Sequence, residues 1–247
     1  MAGTQAERQE NGFIKHVKSA IRQNYGNPIT LVVGDTRITN VTGAQKYTGR
    51  QVTGSEPYTD VQLLIGKKKA TINLSMKGTS APSLGGGGLR GIELVTPGLG
   101  KRYFEAVFRY LTKEEKLEPG DKVPDIYGQI PTSVIKKLIV GNSKMGGPID
   151  YMYVGEMGVR GKYDKKKNVL SISGAKMTKA EKYAGQHKFY FRLRARRHDQ
   201  RFDPDAKGKQ GEPRIYSRSP SKGDSVGRLV VVNESAVPNN AKKIMFR

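Results

Sequence analysis

The chain has 247 residues, and its 44 Lys and Arg against 22 Asp and Glu give a formal net charge of +22, which indicates a polyanionic partner. The length suffices for one large or two small domains with a buried core, and the absence of cysteine excludes disulfides, thiolate metal sites and cysteine nucleophiles. No apolar run is long enough to span a bilayer, so we expect a cytoplasmic or virion-associated protein without a membrane partner.

An amphipathic helix is predicted for residues 4–25, because apolar side chains recur there at helical spacing until Gly26 and Pro28 end the run. The apolar positions are Phe13, Ile14, Val17, Ala20, Ile21 and Tyr25. Continuing this stripe towards the N-terminus places Glu7 and Glu10 on or beside the same face. Burying a carboxylate is costly without a partner, whereas acids in a first turn favour the helix dipole. The two acids therefore either serve a function or belong to a helix start that projects beyond the core.

A β-hairpin is predicted further along, with strands at 60–65 and 70–77 joined by a turn at 66–69. Alternation with a period of two gives the second strand one core face and one polar face. The polar face consists of Thr71, Asn73, Ser75 and Lys77. Such a hairpin can bring Asp60, at its start, close to Lys77, at its end. A carboxylate beside an ammonium group is suited to holding a divalent metal ion next to a phosphate.

The middle of the chain mixes glycine-rich segments with short elements. Residues 80–91 contain four consecutive glycines, which is typical of a mobile surface loop or of a loop whose amides contact phosphates. This segment lacks the lysine and hydroxyl residue of a nucleotide P-loop. Helices are predicted at about 101–111, with Glu105 on the flank, and at about 132–140, followed by a strand at 149–155.

The most basic element is a predicted strand at 188–197, in a region that carries 22 Lys or Arg against 8 Asp or Glu from residue 161 onward. Its alternation buries the odd-numbered apolar residues and exposes cations about 7 Å apart, twice the strand rise. That spacing resembles the spacing of phosphates along a nucleic-acid strand, so polyanion binding is favoured over an edge strand charged only against aggregation. The candidate nucleic-acid-binding residues are Lys188, Tyr190, Arg192, Arg194, Arg196 and Arg197.

The first helix, the hairpin and the helix that follows resemble the PD-(D/E)XK nuclease superfamily, which includes many restriction endonucleases. The family pattern is a helix with an acid, then a hairpin with a metal-binding aspartate and an acid-x-Lys motif. The resemblance covers about residues 5–112. It implies that Asp60 holds the metal, that Glu10 or Glu7 is the helical acid and that Lys77 is the lysine of the motif. Asp60, Lys77 and Glu10 are then the implied catalytic residues, with Asp60 and Glu10 as metal ligands.

The chain departs from the family pattern at Ser75, two residues before the lysine, where the family has a second carboxylate. Either an acid elsewhere completes the site, with Glu10, Glu105 or Glu7 as the relocated carboxylate, or metal binding has been lost. Neutral oxygen ligands such as a serine hydroxyl bind Mg²⁺ weakly on their own.

The resemblance implies an α/β fold in which a central mixed β-sheet is flanked by helices. Residues 1–155 are expected to form the nuclease-like core and residues 156–247 a basic β-rich region, either separate or continuous with the core. The implied function is a Mg²⁺- or Mn²⁺-dependent DNA endonuclease. A homodimer is compatible with that function. The alternative is a non-catalytic nucleic-acid-binding virion or packaging protein with a degenerate nuclease fold. That alternative expects Asp60 and Lys77 to be far apart, or paired with each other without a free acid alongside.

Overall fold

A computed structural model provides the fold. It describes residues 2–52, 54, 56–67, 70–79, 83–84, 88–194, 200–202, 215–217, 225–226 and 228–246. The α-helices are α1 (Ala2–Gln23), α2 (Gly88–Val95), α3 (Leu99–Arg109), α4 (Thr132–Val140) and α5 (Ala180–Gln186), with a π-helical turn at Tyr110–Glu114 and 3-10 turns at Ser143–Met145 and Glu234–Ala236. Among the helices of these residues, none combines the length and the apolar character that crossing a membrane requires.

The strands, numbered along the chain, are β1 (Ile29–Val33), β2 (Thr36–Lys46), β3 (Val61–Ile65), β4 (Ala70–Gly78), β5 (Ser83–Leu84), β6 (Ile126–Gln129), β7 (Tyr151–Asp164), β8 (Val169–Lys179), β9 (Phe189–Arg194), β10 (Gln200–Phe202), β11 (Ile215–Ser217), β12 (Ser225–Val226), β13 (Arg228–Asn233) and β14 (Lys242–Ile244). The chain forms two compact units. The first consists of Met1–Pro82 and Ile139–Gln186, and the second of Ser83–Leu138 and His187–Arg247. The domain boundary expected near residue 155 falls inside β7 of the first unit.

The first unit is built on a closed barrel with the strand order β1-β2-β3-β4-β7-β8. Strands β1 to β4 are an antiparallel meander, and β7 and β8 are an antiparallel pair. Parallel pairing of β4 with β7 and of β8 with β1 closes the barrel. The prediction of an open central sheet flanked by helices is therefore wrong. Local alternation shows that a segment is a strand, but it does not show that distant strands pair in parallel to close a barrel.

The predicted hairpin is formed by β3 and β4, with Val61 opposite Leu74 and Ile65 opposite Ala70. Leu74 and Met76 of the predicted core face are buried, but Ser75 of the predicted polar face is buried as well. Lys68 and Lys69 of the turn lie outside the described residues, as do residues 80–82 and 85–87 of the predicted glycine-rich loop. The predicted hairpin is therefore present with nearly the expected strand bounds.

Helix α1 supplies part of the barrel core. Phe13 and Val17 are fully buried and belong to the same apolar cluster as inward-facing residues of β1, β3, β4 and β8. The ring of Phe13 meets the ring of Tyr153 edge-on, with 5.5 Å between centroids. Tyr25 does not continue the predicted stripe. Because α1 ends at Gln23 and the chain turns through a φ of 54° at Tyr25, that side chain is 92% exposed.

The second unit contains a five-stranded sheet in the order β14-β6-β9-β13-β5 and a three-stranded sheet of β10, β11 and β12. Strand β9 is central, since it pairs antiparallel with both β6 and β13. Its odd-numbered residues are buried as predicted, and Phe191 packs against Tyr103 and Phe246 with ring centroids 5.4 and 5.6 Å away. The predicted basic strand is therefore a core strand of the second unit rather than a sheet edge.

Candidate active site

Asp60 directly precedes β3, and its backbone is fixed by both neighbouring strands. Its N–H donates to the carbonyl of Leu74 on β4 at 2.9 Å, and its own carbonyl accepts from the N–H of Tyr47, which follows β2, at 3.1 Å. These bonds place the Asp60 side chain beside the final residues of β4. The end of β2, the start of β3 and the end of β4 therefore meet at one rim of the barrel.

The carboxylate of Asp60 is held through one oxygen. Oδ2 accepts hydrogen bonds from the N–H of Met76 at 2.6 Å, from Oγ of Ser75 at 3.2 Å and from Nζ of Lys77 at 3.4 Å. Within the described part of the chain, the other oxygen, Oδ1, accepts none. Ser75, in the position where the PD-(D/E)XK pattern has an acid, therefore orients Asp60 and leaves Oδ1 available to a ligand.

Gln9 fixes α1 against this rim. Its buried amide Nε2 donates to the carbonyls of Gly155 at 2.9 Å and of Lys77 and Glu156 at 3.2 Å each. These carbonyls belong to β4 and β7, which pair in parallel. The contact explains why the next residue of α1, Glu10, faces the Asp60 side of the barrel.

Glu10 is a buried acid that is paired with a lysine. The residue is only 8% exposed, and Nζ of Lys46 lies 3.0 Å from its Oε2 as an ion-pair partner. The hydrogen bond from this ammonium group stabilises the ionised carboxylate but does not outweigh the cost of its burial. Burial raises the pKa of Glu10, the nearby Asp60 carboxylate raises it further, and Lys46 and Lys77 act in the opposite direction. Two carboxylates thus lie close enough to repel each other.

The predicted acids separate clearly by their positions. The structure brings Glu10 to the Asp60–Lys77 pair. Glu7 is exposed one turn earlier, with its Oε1 3.8 Å from Nζ of Lys46. Glu105 is an exposed residue of α3 in the second unit, while every residue of this rim belongs to the first unit.

Two contributors, Lys46 and Gln9, are absent from the sequence prediction. Lys46 ends β2, a strand that is not among the predicted elements. The sequence does contain a signal for this strand, because an apolar residue recurs at every third position and is buried, at Ile38, Val41 and Ala44. That spacing reflects the irregular register of β2 against β3.

In the second unit, the described side chains of β9 include one cation, Arg192, and it is paired. Arg192 donates from Nη2 to both carboxylate oxygens of Asp125, at 2.9 and 3.1 Å, and lies over the ring of Tyr127. Tyr190, which the alternation places on the exposed face, is 7% exposed and has Nζ of Lys243 over its ring. The reason is that β9 is central and both of its faces are covered.

The remaining residues of the predicted basic strand are only partly described. Lys188 is exposed and precedes β9. The side chain of Arg194, and all of Arg196 and Arg197, lie outside the described residues. Their role in nucleic-acid binding stays a prediction.

The barrel rim offers two carboxylates as candidate ligands for a divalent cation. No three His, Asp or Glu side chains of the described residues cluster as metal ligands, so Glu10 and Asp60 are a two-carboxylate set. Mg²⁺ is commonly held by one or two carboxylates together with water and substrate phosphates. The carboxylate of Glu10, which Lys46 contacts, and the free Oδ1 of Asp60 would be the ligands, and a cation would relieve the repulsion between them.

Comparison with known proteins identifies no relative. No protein-family model matches the chain, and no curated protein and no solved structure matches it. The function is therefore argued from the geometry of the rim residues.

Replacing Glu10 by Gln is expected to raise the free energy of unfolding near neutral pH by about 0.5–2 kcal/mol, as is usual when a strained functional group is relieved. The folded-state pKa of Glu10 lies above its ordinary value of 4.5, so the ionised carboxylate costs stability at neutral pH. This cost fades as the pH falls through the raised pKa and is absent below the unfolded-state value. Lys46 is half exposed and remains hydrated after the change.

Urea unfolding of both proteins at about pH 7.5 and about pH 4 measures this difference. The advantage of Glu10→Gln is expected at the higher pH only. Glu7→Gln is the matched control, since its exposed carboxylate contributes less than about 0.5 kcal/mol at either pH. A Glu10→Gln protein that is less stable than the wild type at the higher pH would contradict the assignment of Glu10 as a strained acid.

Proposed function

We propose that this protein is a Mg²⁺-dependent endonuclease that hydrolyses phosphodiester bonds of DNA at the rim formed by Glu10, Asp60 and Lys77. The observation that carries the proposal is the meeting of a strained buried acid, a half-engaged aspartate and a lysine. These residues come from three separate elements, α1, the start of β3 and the end of β4. This is the residue set that the resemblance to PD-(D/E)XK nucleases implies, but the closed barrel is not the fold that it implies, so the proposal rests on these side chains and not on the fold.

Each residue of the rim has a distinct role in the proposed reaction. Oδ1 of Asp60 and Oε2 of Glu10 would hold the ion, which supplies Lewis-acid stabilisation of the phosphate and a more acidic water. Ser75 and the Met76 N–H keep the Asp60 carboxylate oriented. The Lys77 ammonium lies beside the same carboxylate and can stabilise negative charge that develops on a phosphate oxygen.

A second function is favoured by one contact. Lys77 Nζ lies 3.4 Å from Oδ2 of Asp60, which is the mutual pairing expected of a non-catalytic nucleic-acid-binding virion or packaging protein. Glu10 argues against this alternative. A purely structural pairing of Asp60 with Lys77 does not require a second, largely buried carboxylate close to Asp60, because burial and the repulsion from Asp60 make that carboxylate costly to ionise. The endonuclease is therefore the better supported function.

Nicking of supercoiled plasmid by the full chain tests the proposal. With Mg²⁺ or Mn²⁺ the wild type is expected to convert supercoiled DNA to nicked and linear forms, and EDTA is expected to stop the conversion. Gel-shift binding of the same plasmid in EDTA provides the reference. A chain that binds plasmid but never nicks it with either metal would support the non-catalytic alternative and overturn the nuclease proposal.

A further inference from the structure

A groove runs between α1 and the β2–β3 side of the barrel, entirely within the first unit. Its volume is about 720 Å³. Apolar surface in the groove comes mainly from the partly exposed Ile21 and Leu64, whereas the lining residues Ile14 and Ala44 are buried. The groove therefore combines a hydrophobic floor with a wall formed by one helix.

The helix wall is strongly basic. Lys15, Lys18 and Arg22 line the groove and are exposed. At a rise of 1.5 Å per residue they follow one another at about 4.5 and 6 Å along the helix axis. Among the described residues, none of the three has an acidic partner at ion-pair distance. An unneutralised row of cations beside an apolar floor is complementary to a polyanion that also carries apolar groups.

The two ends of the groove give this row a direction. At one end the lining residues Asn11 and Gln45 adjoin Glu10 and Lys46 of the candidate active site. Three residues after Arg22 in the chain, and beyond the end of α1, Tyr25 is 92% exposed. An exposed aromatic ring that follows a row of cations can stack on an unpaired base.

We propose that this groove binds a single strand of DNA that runs from the candidate active site towards Tyr25. Phosphates contact Lys15, Lys18 and Arg22, and bases lie on the apolar floor and on the Tyr25 ring. The roughly 20 Å of helix axis between Glu10 and Gln23, where α1 ends, gives the strand room for several nucleotides, and Tyr25 lies two residues further along the chain. A duplex hides its base faces in the stack, so it could use only the cations. The inference takes the identity of the polyanion from the proposed function and names the path of its substrate.

Fluorescence anisotropy with labelled oligo(dT) of about 12 nucleotides tests the groove, using the full chain in EDTA so that no cleavage occurs. The triple variant Lys15→Gln/Lys18→Gln/Arg22→Gln is expected to bind at least about 10-fold more weakly. Its log–log salt slope is expected to fall by about 2, since each single-strand phosphate contact contributes about 0.7. The matched control, Lys101→Gln/Arg102→Gln/Arg109→Gln at exposed positions of α3 in the second unit, loses the same charge and is expected to change affinity less than about 3-fold.

Tyr25 provides a second readout that does not change the charge. Tyr25→Ala is expected to weaken oligo(dT) binding by about 5-fold, and Tyr25→Phe to retain it within about 2-fold, because stacking needs only the ring. Equal losses in the groove variant and the α3 control would overturn the proposal. So would binding to the matching duplex, or to oligo(rU), that is at least about 10-fold tighter than to oligo(dT).

The binding assay separates this inference from the proposed nuclease function. Asp60→Asn is expected to bind oligo(dT) like the wild type, because the groove needs no metal. If the wild type never nicks plasmid but the groove variants lose their binding of oligo(dT), the groove proposal is supported and the nuclease proposal is contradicted. If nicking depends on Asp60 while the groove variants bind oligo(dT) normally, the nuclease proposal is supported and the groove proposal is contradicted.

Discussion

Asp60→Asn is expected to reduce the rate of Mg²⁺-dependent plasmid nicking by at least about 10³-fold while the fold is retained. The amide oxygen can still accept the hydrogen bonds from Met76 and Ser75 that hold the side chain in place. It carries no charge, however, and neutral oxygens are poor ligands for Mg²⁺ on their own. The change therefore removes the ligand charge without removing the shape.

Glu10→Gln is expected to reduce the same rate by about 10²- to 10³-fold, in spite of its gain in stability. The double variant with Asp60→Asn should lose little more than the worse single variant, since residues that hold one ion act as a unit. The control is Asp35→Asn, which makes the same chemical change as Asp60→Asn but in the exposed β1–β2 turn. It is expected to leave the nicking rate unchanged. Nicking by Asp60→Asn at the wild-type rate would contradict the assignment of the rim as the active site.

Phe13→Ala is expected to destabilise the barrel by about 3–5 kcal/mol, the usual cost of truncating a fully buried phenylalanine. Phe13 has no exposed surface and contacts the ring of Tyr153 on β7. It lies one turn from Glu10 on the same helix, so its packing also fixes the acid at the rim. The loss is expected to exceed that of any change at an exposed position of α1.

Native-state hydrogen exchange in peptides of β1 and β8 measures this effect for the barrel separately from the second unit. Tyr25→Ala is the control, with an expected change below about 0.5 kcal/mol because its side chain is exposed. A loss below about 1 kcal/mol in Phe13→Ala would show that α1 does not contribute to the barrel core as the structure indicates.

The parts of the fold that the sequence predicts correctly depend on local patterns. The pairing of Val61 with Leu74 follows from alternation and a short turn, and the burial of Phe13 follows from helical spacing. Barrel closure does not follow from such local patterns. It depends on parallel pairing of Thr30 with Val169, two segments far apart in the chain whose apolar patterns fit an open sheet equally well.

In the candidate site, too, local sequence patterns predict some residues and miss others. Helical phase predicts that Glu10 faces the core side, and the hairpin predicts that Asp60 approaches Lys77. Lys46 is missed, because it becomes part of the rim only through the register of β2 against β3. Alternation also identifies the face that carries Tyr190 and Arg192, but it does not show that this face is covered by other residues of the second unit.

Titration of the full chain with Mn²⁺, followed by the electron paramagnetic resonance of the free ion, tests most directly whether Glu10 and Asp60 form a metal site. The wild type is expected to bind one ion per chain with a Kd below about 1 mM, and more weakly as the pH falls through the raised pKa of Glu10. Asp60→Asn and Glu10→Gln are each expected to weaken binding at least about 10-fold, whereas Asp35→Asn leaves it unchanged. A wild type that binds no Mn²⁺ at a concentration of about 10 mM would contradict a metal site at this rim. Rim variants that both bind Mn²⁺ as tightly as the wild type would also contradict it.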